Sequence, residues 1–345
     1  MARLPRRDQI DETSVGVYHC INRCVRGAFL CGEDNASGNN YDHHKSWIQK
    51  RLEFLAGKFA IDVIGFSVLS NHFHLILRNR PDVVDRWSDG EVARRWWNLF
   101  PDRRNPNDGP ATPRRAELKV LARKVRKLRR RLSSISWLMR CLAENVARRA
   151  NNEEKTRGRF FQGRFKSQEL LDEASILACA IYVDLNPIRA AVATTPEASH
   201  FTSAYERIQA RDRRARRRGR KQGDVVGDQW LSPVELEKRE RSLTSKSSLR
   251  ASDRGFLPLT LDQYLQLVDW TGRQVRADKR GAIPAELSPI LERLQVSTSC
   301  WVDLVVGFGR WFRRTVGRPE RMAASCQQRG CRWLQGISHA RKAFA

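Results

Sequence analysis

Two histidines separated by one residue are the clearest chemical signal in the sequence. His72 and His74 lie in the segment HFHLILR, residues 72–78, whose aromatic and aliphatic side chains indicate a strand. Because side chains on a strand alternate between its faces, both imidazoles project from one face, with Cα atoms roughly 6–7 Å apart. This arrangement suits two ligands of one divalent metal ion, but imidazole chemistry alone does not select the metal. The pair by itself does not distinguish a metal site from a chance repeat.

A second signal is a tyrosine four residues before an asparagine in DEASILACAIYVDLN, residues 172–186. The segment reads as a helix, so Tyr182 and Asn186 would share one face. Asn186 offers an oxygen as a third metal ligand, and Tyr182 offers a hydroxyl nucleophile. The pattern is weak alone, because a tyrosine near a helix end is usually a packing residue. Pro187 also favours an end of the helix at Asn186.

The elements that would position these residues follow from hydrophobic periodicity. A strand at 15–23, a helix at 43–59 and strands at 61–69 and 72–78 form a strand–helix–strand–strand order. Later segments are read, in chain order, as a Trp-rich helix at 92–99, a loop at 101–113, a basic helix at 116–132, a helix from Ser134, a strand at 158–171, and a helix that begins at Asp172 and ends near Leu185.

The charge of the chain indicates its partner. The 345 residues carry 64 Lys and Arg against 38 Asp and Glu, a net charge of +26. Such an excess favours a polyanion, with nucleic acid first and an anionic membrane surface second. We find no apolar run of about 18 residues, no signal-peptide pattern, no P-loop and no C-x-x-C pair among the eight cysteines. The pattern predicts a cytoplasmic, nucleoid-associated protein without a nucleotide cofactor.

Four segments, in this order, resemble the HUH-type single-tyrosine transposases, specifically the REP-associated tyrosine transposase group. They are GVYHCINRCVRG at 16–27, LSNHFHLILR at 69–78, GRFFQGRFKSQELL at 158–171 and AIYVDLNPIRAAV at 180–192. The resemblance covers residues 14–207. It implies an α+β fold of the HUH endonuclease type, with a ferredoxin-like antiparallel sheet and helices around it.

The resemblance also implies roles for individual residues. His72 and His74 would be metal ligands, Asn186 the third polar ligand and Tyr182 the nucleophile, with Mg²⁺ or Mn²⁺ as the cofactor. Many members of the family carry Gln at the third position, so the shorter Asn186 departs from their pattern. The residues expected to contact DNA are Asn22, Arg23, Arg159, Gln162, Arg164, Lys166 and Arg189.

The activity implied by the resemblance is metal-dependent nicking and joining of single-stranded, hairpin-forming DNA through a 5′-phosphotyrosine, often by a homodimer. Two alternatives stay open: a non-catalytic nucleic-acid-binding regulator on the same fold, and a metal nuclease that uses water. The predicted organisation is a basic tail at 1–13, a catalytic domain at 14–207 with a helical elaboration at 81–155, a linker at 208–255, and a helical domain at 256–345 for DNA binding or dimerisation.

Overall fold

A five-stranded sheet with helices on both faces organises the chain, which confirms the predicted α+β class. The computed structural model describes residues 9–25, 32, 38, 40–107, 109–216, 228–236, 243, 245, 247–276, 284 and 286–344. Parts of the predicted N-terminal tail and linker, including residues 217–227, lie outside this range. None of the described helices is both long enough and apolar enough to cross a membrane.

The strands lie in the order β2-β3-β1-β4-β5. The first four pair antiparallel, whereas β5 pairs parallel to β4. Their bounds are β1 Val17–Arg23, β2 Ile61–Val68, β3 His72–Asn79, β4 Lys166–Leu170 and β5 Thr315–Val316. The predicted strand–helix–strand–strand start is confirmed, with α1 at His43–Ala56 between β1 and β2.

The strand predicted at 158–171 is observed only as β4, Lys166–Leu170. Gly158 and Gly163 have φ angles of +127° and +131°, which interrupt an extended chain and are readily adopted only by glycine. Between them, Phe161 makes an isolated bridge to Cys24, just beyond the end of β1. The segment before β4 is therefore a loop that lies against the end of β1.

One face of the sheet is covered by α1 and by α6, Ile135–Glu153. Ile48, Leu52 and Leu55 form the inner face of α1, at the spacing expected for an amphipathic helix. They share an apolar core with Phe73, Leu75 and other strand residues that point to this side. This part of the fold holds β3 so that its alternate residues, His72 and His74, project from the opposite face.

The insertion after β3 contains α2 Pro81–Val84, α3 Asp89–Leu99, α4 Arg115–Ala122 and α5 Val125–Leu132. The single basic helix predicted over 116–132 is wrong, because the chain turns at Arg123 and Lys124. Both α4 and α5 pack against α3, so the turn lets the two halves contact the same helix. The helix predicted from Ser134 is observed as α6.

The other face of the sheet is covered by α7 Glu173–Asp184, which shares a core with the C-terminal helices. Asp172 caps α7 as predicted, since its carboxylate accepts from the Ser175 backbone N–H at 2.8 Å. The remaining helices are α8 Asn186–Arg189, α9 Ser203–Arg216, α10 Leu261–Arg276, α11 Ser288–Arg293, α12 Trp301–Trp311, α13 Pro319–Gln328 and α14 Ile337–Ala343. The C-terminal region thus adds both β5 and helices to the structure around α7, and a separate domain at 256–345 stays a prediction.

Candidate metal and nucleophile site

Strand register brings the candidate residues to the sheet face that α7 covers. Ile21 of β1 lies opposite His74, Arg23 lies opposite His72, and His19 lies opposite Gln168 of β4. Directly opposed residues of an antiparallel pair project from the same face. His72 and His74 therefore share this face with His19, a residue to which the sequence analysis gave no role.

His19 sets the orientation of His74. Its Nδ1 lies 3.2 Å from Gln168 Oε1, and its Nε2 lies 2.8 Å from His74 Nδ1. Because a carbonyl oxygen only accepts, Nδ1 of His19 carries the proton and its Nε2 accepts from His74 Nδ1–H. In the neutral ring of His74, the lone pair is then left on Nε2. That atom is buried and has no hydrogen-bond partner among the described residues.

His72 also has its Nε2 lone pair available, because its Nδ1 carries the proton. Its Nδ1 donates to Asn71 Oδ1 at 2.6 Å, which leaves the Nε2 lone pair of the neutral ring available. The rings of His72 and His74 have centroids 4.9 Å apart. Histidines that bind a metal through one ring nitrogen usually donate a hydrogen bond from the other, as His72 and His74 do from Nδ1.

The electrostatic surroundings keep these rings uncharged at neutral pH. Burial and, to a smaller extent, the nearby charge of Arg23 lower the pKa of His72 to about 4. Burial also lowers the pKa of His19 to about 4, against the opposing hydrogen bond from Gln168. Burial likewise holds the pKa of His74 well below its ordinary value. Neutral imidazole is the form that ligates metals.

Tyr182 lies on α7 above the histidines. Its ring centroid is 5.7 Å from that of His74 and 5.9 Å from that of His19, with the planes nearly perpendicular. The Arg189 guanidinium lies 4.5 Å from the same ring, a cation–π contact. The structure thus brings the predicted nucleophile close to His72 and His74, two of the three predicted metal ligands.

Asn186 does not lie on the same helix as Tyr182, so the predicted shared helical face is wrong. The α7 helix ends at Asp184, and Asn186 begins the short helix α8 after a break at Leu185. The proline at 187 disfavours a continuous helix through Asn186. The Asn186 side chain is buried, and its Nδ2 has no partner among the described residues, as is also true of Ser67 Oγ, which lies opposite His74 on β2.

A C-terminal helix covers Tyr182, which is only 8% exposed. Phe308 of α12 lies 5.4 Å from the tyrosine ring, and Arg189 donates to the Val306 carbonyl at 3.0 Å. A Cβ atom added to Gly309 would lie 2.5 Å from the Tyr182 hydroxyl oxygen. The glycine therefore permits the close approach of α12. No pattern in the sequence indicates this contact between residues more than a hundred positions apart.

Five of the seven predicted DNA-contacting residues are exposed: Arg23, Arg159, Gln162, Arg164 and Lys166. The Gln162 backbone N–H donates to the Arg23 carbonyl at 2.8 Å, so the loop before β4 lies beside the end of β1. Arg189 is partly exposed beside Tyr182. Asn22 is buried and lies opposite Phe73, on the other face of the sheet, so it is not brought together with the others.

No protein-family model matches the chain, and no curated protein matches it. Among solved structures, the chain is similar to a REP-associated tyrosine transposase bound to a REP hairpin. The sequences are 10% identical, and the match covers 61% of this chain and 86% of that chain with a TM-score of 0.35. The similarity is a distant structural one.

Proposed function

We propose that this chain nicks and joins single-stranded DNA through a covalent phosphotyrosine on Tyr182, with a divalent metal held by His72, His74 and Asn186. The observation that carries the proposal is the unpartnered, buried Nε2 of His74, whose ring lies 5.7 Å from that of Tyr182. A metal-binding atom and a hydroxyl nucleophile on one sheet face can act on the same phosphate.

The strand order supports a ferredoxin-like core of the HUH type. Both β1 and β2 pair antiparallel with β3, which lies between them, so the α1 connection joins two parallel strands. The fourth strand pairs antiparallel on the other side of β1 and leads into α7. In this proposal residues 14–207 form the catalytic unit, and the region 256–345 covers it.

The donor set fits a divalent metal. In the proposal, two imidazole Nε2 atoms with fixed tautomers would be joined by the oxygen of the Asn186 amide. The Nδ2 of this amide is unpartnered, so an exchange of its oxygen and nitrogen positions costs no described hydrogen bond. When bound, a divalent ion such as Mg²⁺ or Mn²⁺ would neutralise charge on the scissile phosphate. The chain itself orients the histidines through Asn71 and His19.

The reaction conserves the energy of the phosphodiester bond. The Tyr182 oxygen attacks phosphorus and loses its proton, while the bond from phosphorus to the 3′ oxygen breaks and that oxygen is protonated. The product is a 5′-phosphotyrosine and a free 3′-OH, and attack by a 3′-OH reverses the step. Rejoining therefore needs no nucleotide hydrolysis, in agreement with the absence of a P-loop from the sequence.

The exposed cations beside the site would hold the DNA backbone. Arg23, Arg164 and Lys166 lie near the end of β1 with His72, and Arg189 lies beside the nucleophile. Positive side chains that follow a backbone are typical of single-strand binding. Dimerisation, which the sequence resemblance implies, stays a prediction.

The burial of Tyr182 favours a second candidate function. A hydroxyl that is covered by α12 meets no phosphate unless the helix moves, so the same fold could bind DNA without cutting it. In such a regulator, Tyr182 would be a packing residue between α7 and α12.

Denaturing gels would separate these functions. The full chain is incubated with hairpin-forming single-stranded oligonucleotides and Mg²⁺ or Mn²⁺, beside Tyr182→Phe, His72→Ala and His74→Ala. We expect a metal-dependent protein–DNA adduct with the unchanged chain and none with these three variants. Tyr205→Phe and His200→Ala are matched controls, since this tyrosine and histidine contact each other and neither has a role in the proposed reaction.

Each outcome leads to a different conclusion. Loss of the adduct in all three site variants, but not in the controls, supports the proposal. Cleavage without an adduct that persists in Tyr182→Phe would identify a water-using nuclease. Tight binding without cleavage on every hairpin, including those that flank the gene, would support the non-catalytic regulator.

A further inference from the structure

A second group of metal-binding side chains lies where two helices meet on the opposite side of the sheet. His43 and His44 begin α1, and Glu153 ends α6. These helices cover the face that carries Phe73 and Leu75, whereas His72 and His74 project from the other face. None of these three residues takes part in the proposed function.

The three side chains converge with metal-site geometry. Glu153 places one carboxylate oxygen 2.6 Å from His43 Nε2 and the other 2.5 Å from His44 Nε2. One ligand atom from each of the three side chains lies within 4.8 Å of the other two, and no other group of three or more His, Cys, Asp or Glu residues among those described does so. Ligands about 2.1 Å from a tetrahedral Zn²⁺ lie roughly 3.4 Å apart, so small side-chain rotations would admit the ion.

The surroundings hold the imidazoles in place and leave an entrance. His44 is fully buried, and the Trp47 ring lies 4.3 Å from its ring and 4.9 Å from that of His43. Side chains of His43 and Glu153 are 44% and 37% exposed, so an ion and completing water molecules have access. Burial raises the pKa of Glu153, but hydrogen bonds with His44 and His43 outweigh burial and lower it, so the carboxylate is ionised at neutral pH.

We propose that His43, His44 and Glu153 form a second divalent-metal site, selective for borderline transition ions of the Zn²⁺ class. Two imidazoles and one carboxylate, with a position open to water, match that class better than the all-oxygen ligands that Mg²⁺ prefers. The bound ion would join the start of α1 to the end of α6 across 110 residues of chain. This inference does not rest on the proposed function.

The competing explanation is a carboxylate that simply accepts two hydrogen bonds. To isolate the new site, the test uses full-length chain carrying His72→Ala and His74→Ala, which removes the proposed catalytic metal site. After treatment with a chelator, this protein is titrated with Co²⁺, followed by its visible absorption, and the Co²⁺ is then displaced with Zn²⁺. We expect one ion per chain and a thermal unfolding midpoint several degrees higher with Zn²⁺.

Two further changes locate the binding. Glu153→Gln retains a side chain of the same size but loses the charged ligand, and we expect at least tenfold weaker binding. His43→Ala changes a half-exposed residue and provides the same test if the first variant is poorly folded. Glu154→Gln, one residue away, is the matched control and should bind like its parent.

The inference is overturned if the parent binds no Co²⁺, or if Glu153→Gln and His43→Ala both bind it as the parent does. Nicking assays do not enter this test. A protein that retains the His43 site but fails to nick DNA would count against the proposed function alone.

Discussion

At the level of individual side chains, the chemistry of the candidate site depends on which nitrogen of His74 carries its proton. Gln168 acts on that proton indirectly, by accepting from His19, which in turn accepts from His74. The sequence marked His72 and His74 by their spacing and by the family resemblance of residues 69–78. It gave no reason to connect either with Gln168, which lies almost a hundred residues away on β4.

The first prediction is that Gln168→Leu weakens Mn²⁺ binding and adduct formation by about 10- to 100-fold, the usual effect of losing a partner of a metal-bound histidine. Gln168→Glu should retain both, because a carboxylate also accepts from His19 Nδ1–H. Isothermal titration with Mn²⁺ and the gel assay measure the two effects. Equal behaviour of the leucine and glutamate variants would contradict the role of His19.

At the level of helices, the close approach of α12 to α7 depends on Gly309, which has no side chain. An alanine in a helix is ordinarily more stable than glycine by roughly 0.5–1 kcal/mol. At Gly309 the added methyl group would collide with the Tyr182 hydroxyl, whereas at Gly90 of α3 the nearest atom is 3.6 Å away, at the end of the Arg94 side chain.

We therefore expect opposite effects from the same substitution. Gly309→Ala should lower the free energy of unfolding by about 1–3 kcal/mol, as overpacking does, and Gly90→Ala should raise it slightly. Urea unfolding of both variants measures the difference. If Gly309→Ala is also stabilising, α12 does not contact Tyr182 as described.

The arginines and lysines of the basic helix α5 fall into two groups, those that contact neighbouring elements and those that are exposed to solvent. Arg129 donates to the Trp87 carbonyl at 2.6 Å and to Asp89, and Arg131 lies 4.2 Å from the Trp137 ring. These two arginines stabilise the insertion. The exposed cations of the same helix are Arg126, Lys127 and Arg130.

Replacing all three exposed cations with alanine should weaken binding of single-stranded DNA and reduce its salt dependence. The slope of the logarithm of the binding constant against the logarithm of the salt concentration should become shallower by about 0.7 for each phosphate contact removed, or by about 2 in total. Fluorescence anisotropy at several salt concentrations measures it, with Arg273→Ala on α10 as an exposed control. Unchanged binding at every salt concentration would exclude α5 from the DNA surface.

For the molecule as a whole, a buried charge network joins the sheet to the segment that precedes the C-terminal helices. Asp62 accepts from Arg78 at 2.7 Å and from Arg80 at 2.9 Å, and all three side chains are buried. Ser252 donates to the same carboxylate at 2.9 Å, and Arg78 also donates to the Gly255 carbonyl at 2.9 Å. The entry to the C-terminal region is thereby held against β2 and β3.

Asp62→Ala should lower the free energy of unfolding by about 3–5 kcal/mol, because it leaves the buried Arg78 without a carboxylate, whereas Arg80 keeps its ion pair with Asp82. Asp269→Ala removes an exposed partner of Arg273 and should change the free energy of unfolding by less than about 1 kcal/mol. Urea unfolding of both proteins provides the comparison. Similar costs would show that the buried network does not hold the region in place.

The spacing of residues along the chain determines which segments form strands and helices and which strand face carries the histidines. The period of two places His72 and His74 on one strand face, and helical periodicity identifies α1 and α6. The cap at Asp172 and the proline at 187 mark the two ends of α7. These signals depend only on neighbours along the chain. Tertiary packing alone decides that His19 orients His74, that α12 covers Tyr182 and that His43 and His44 meet Glu153. These contacts join residues that are 55 to more than 100 positions apart. Their distances depend on how whole elements pack, which the spacing of residues within each element does not specify.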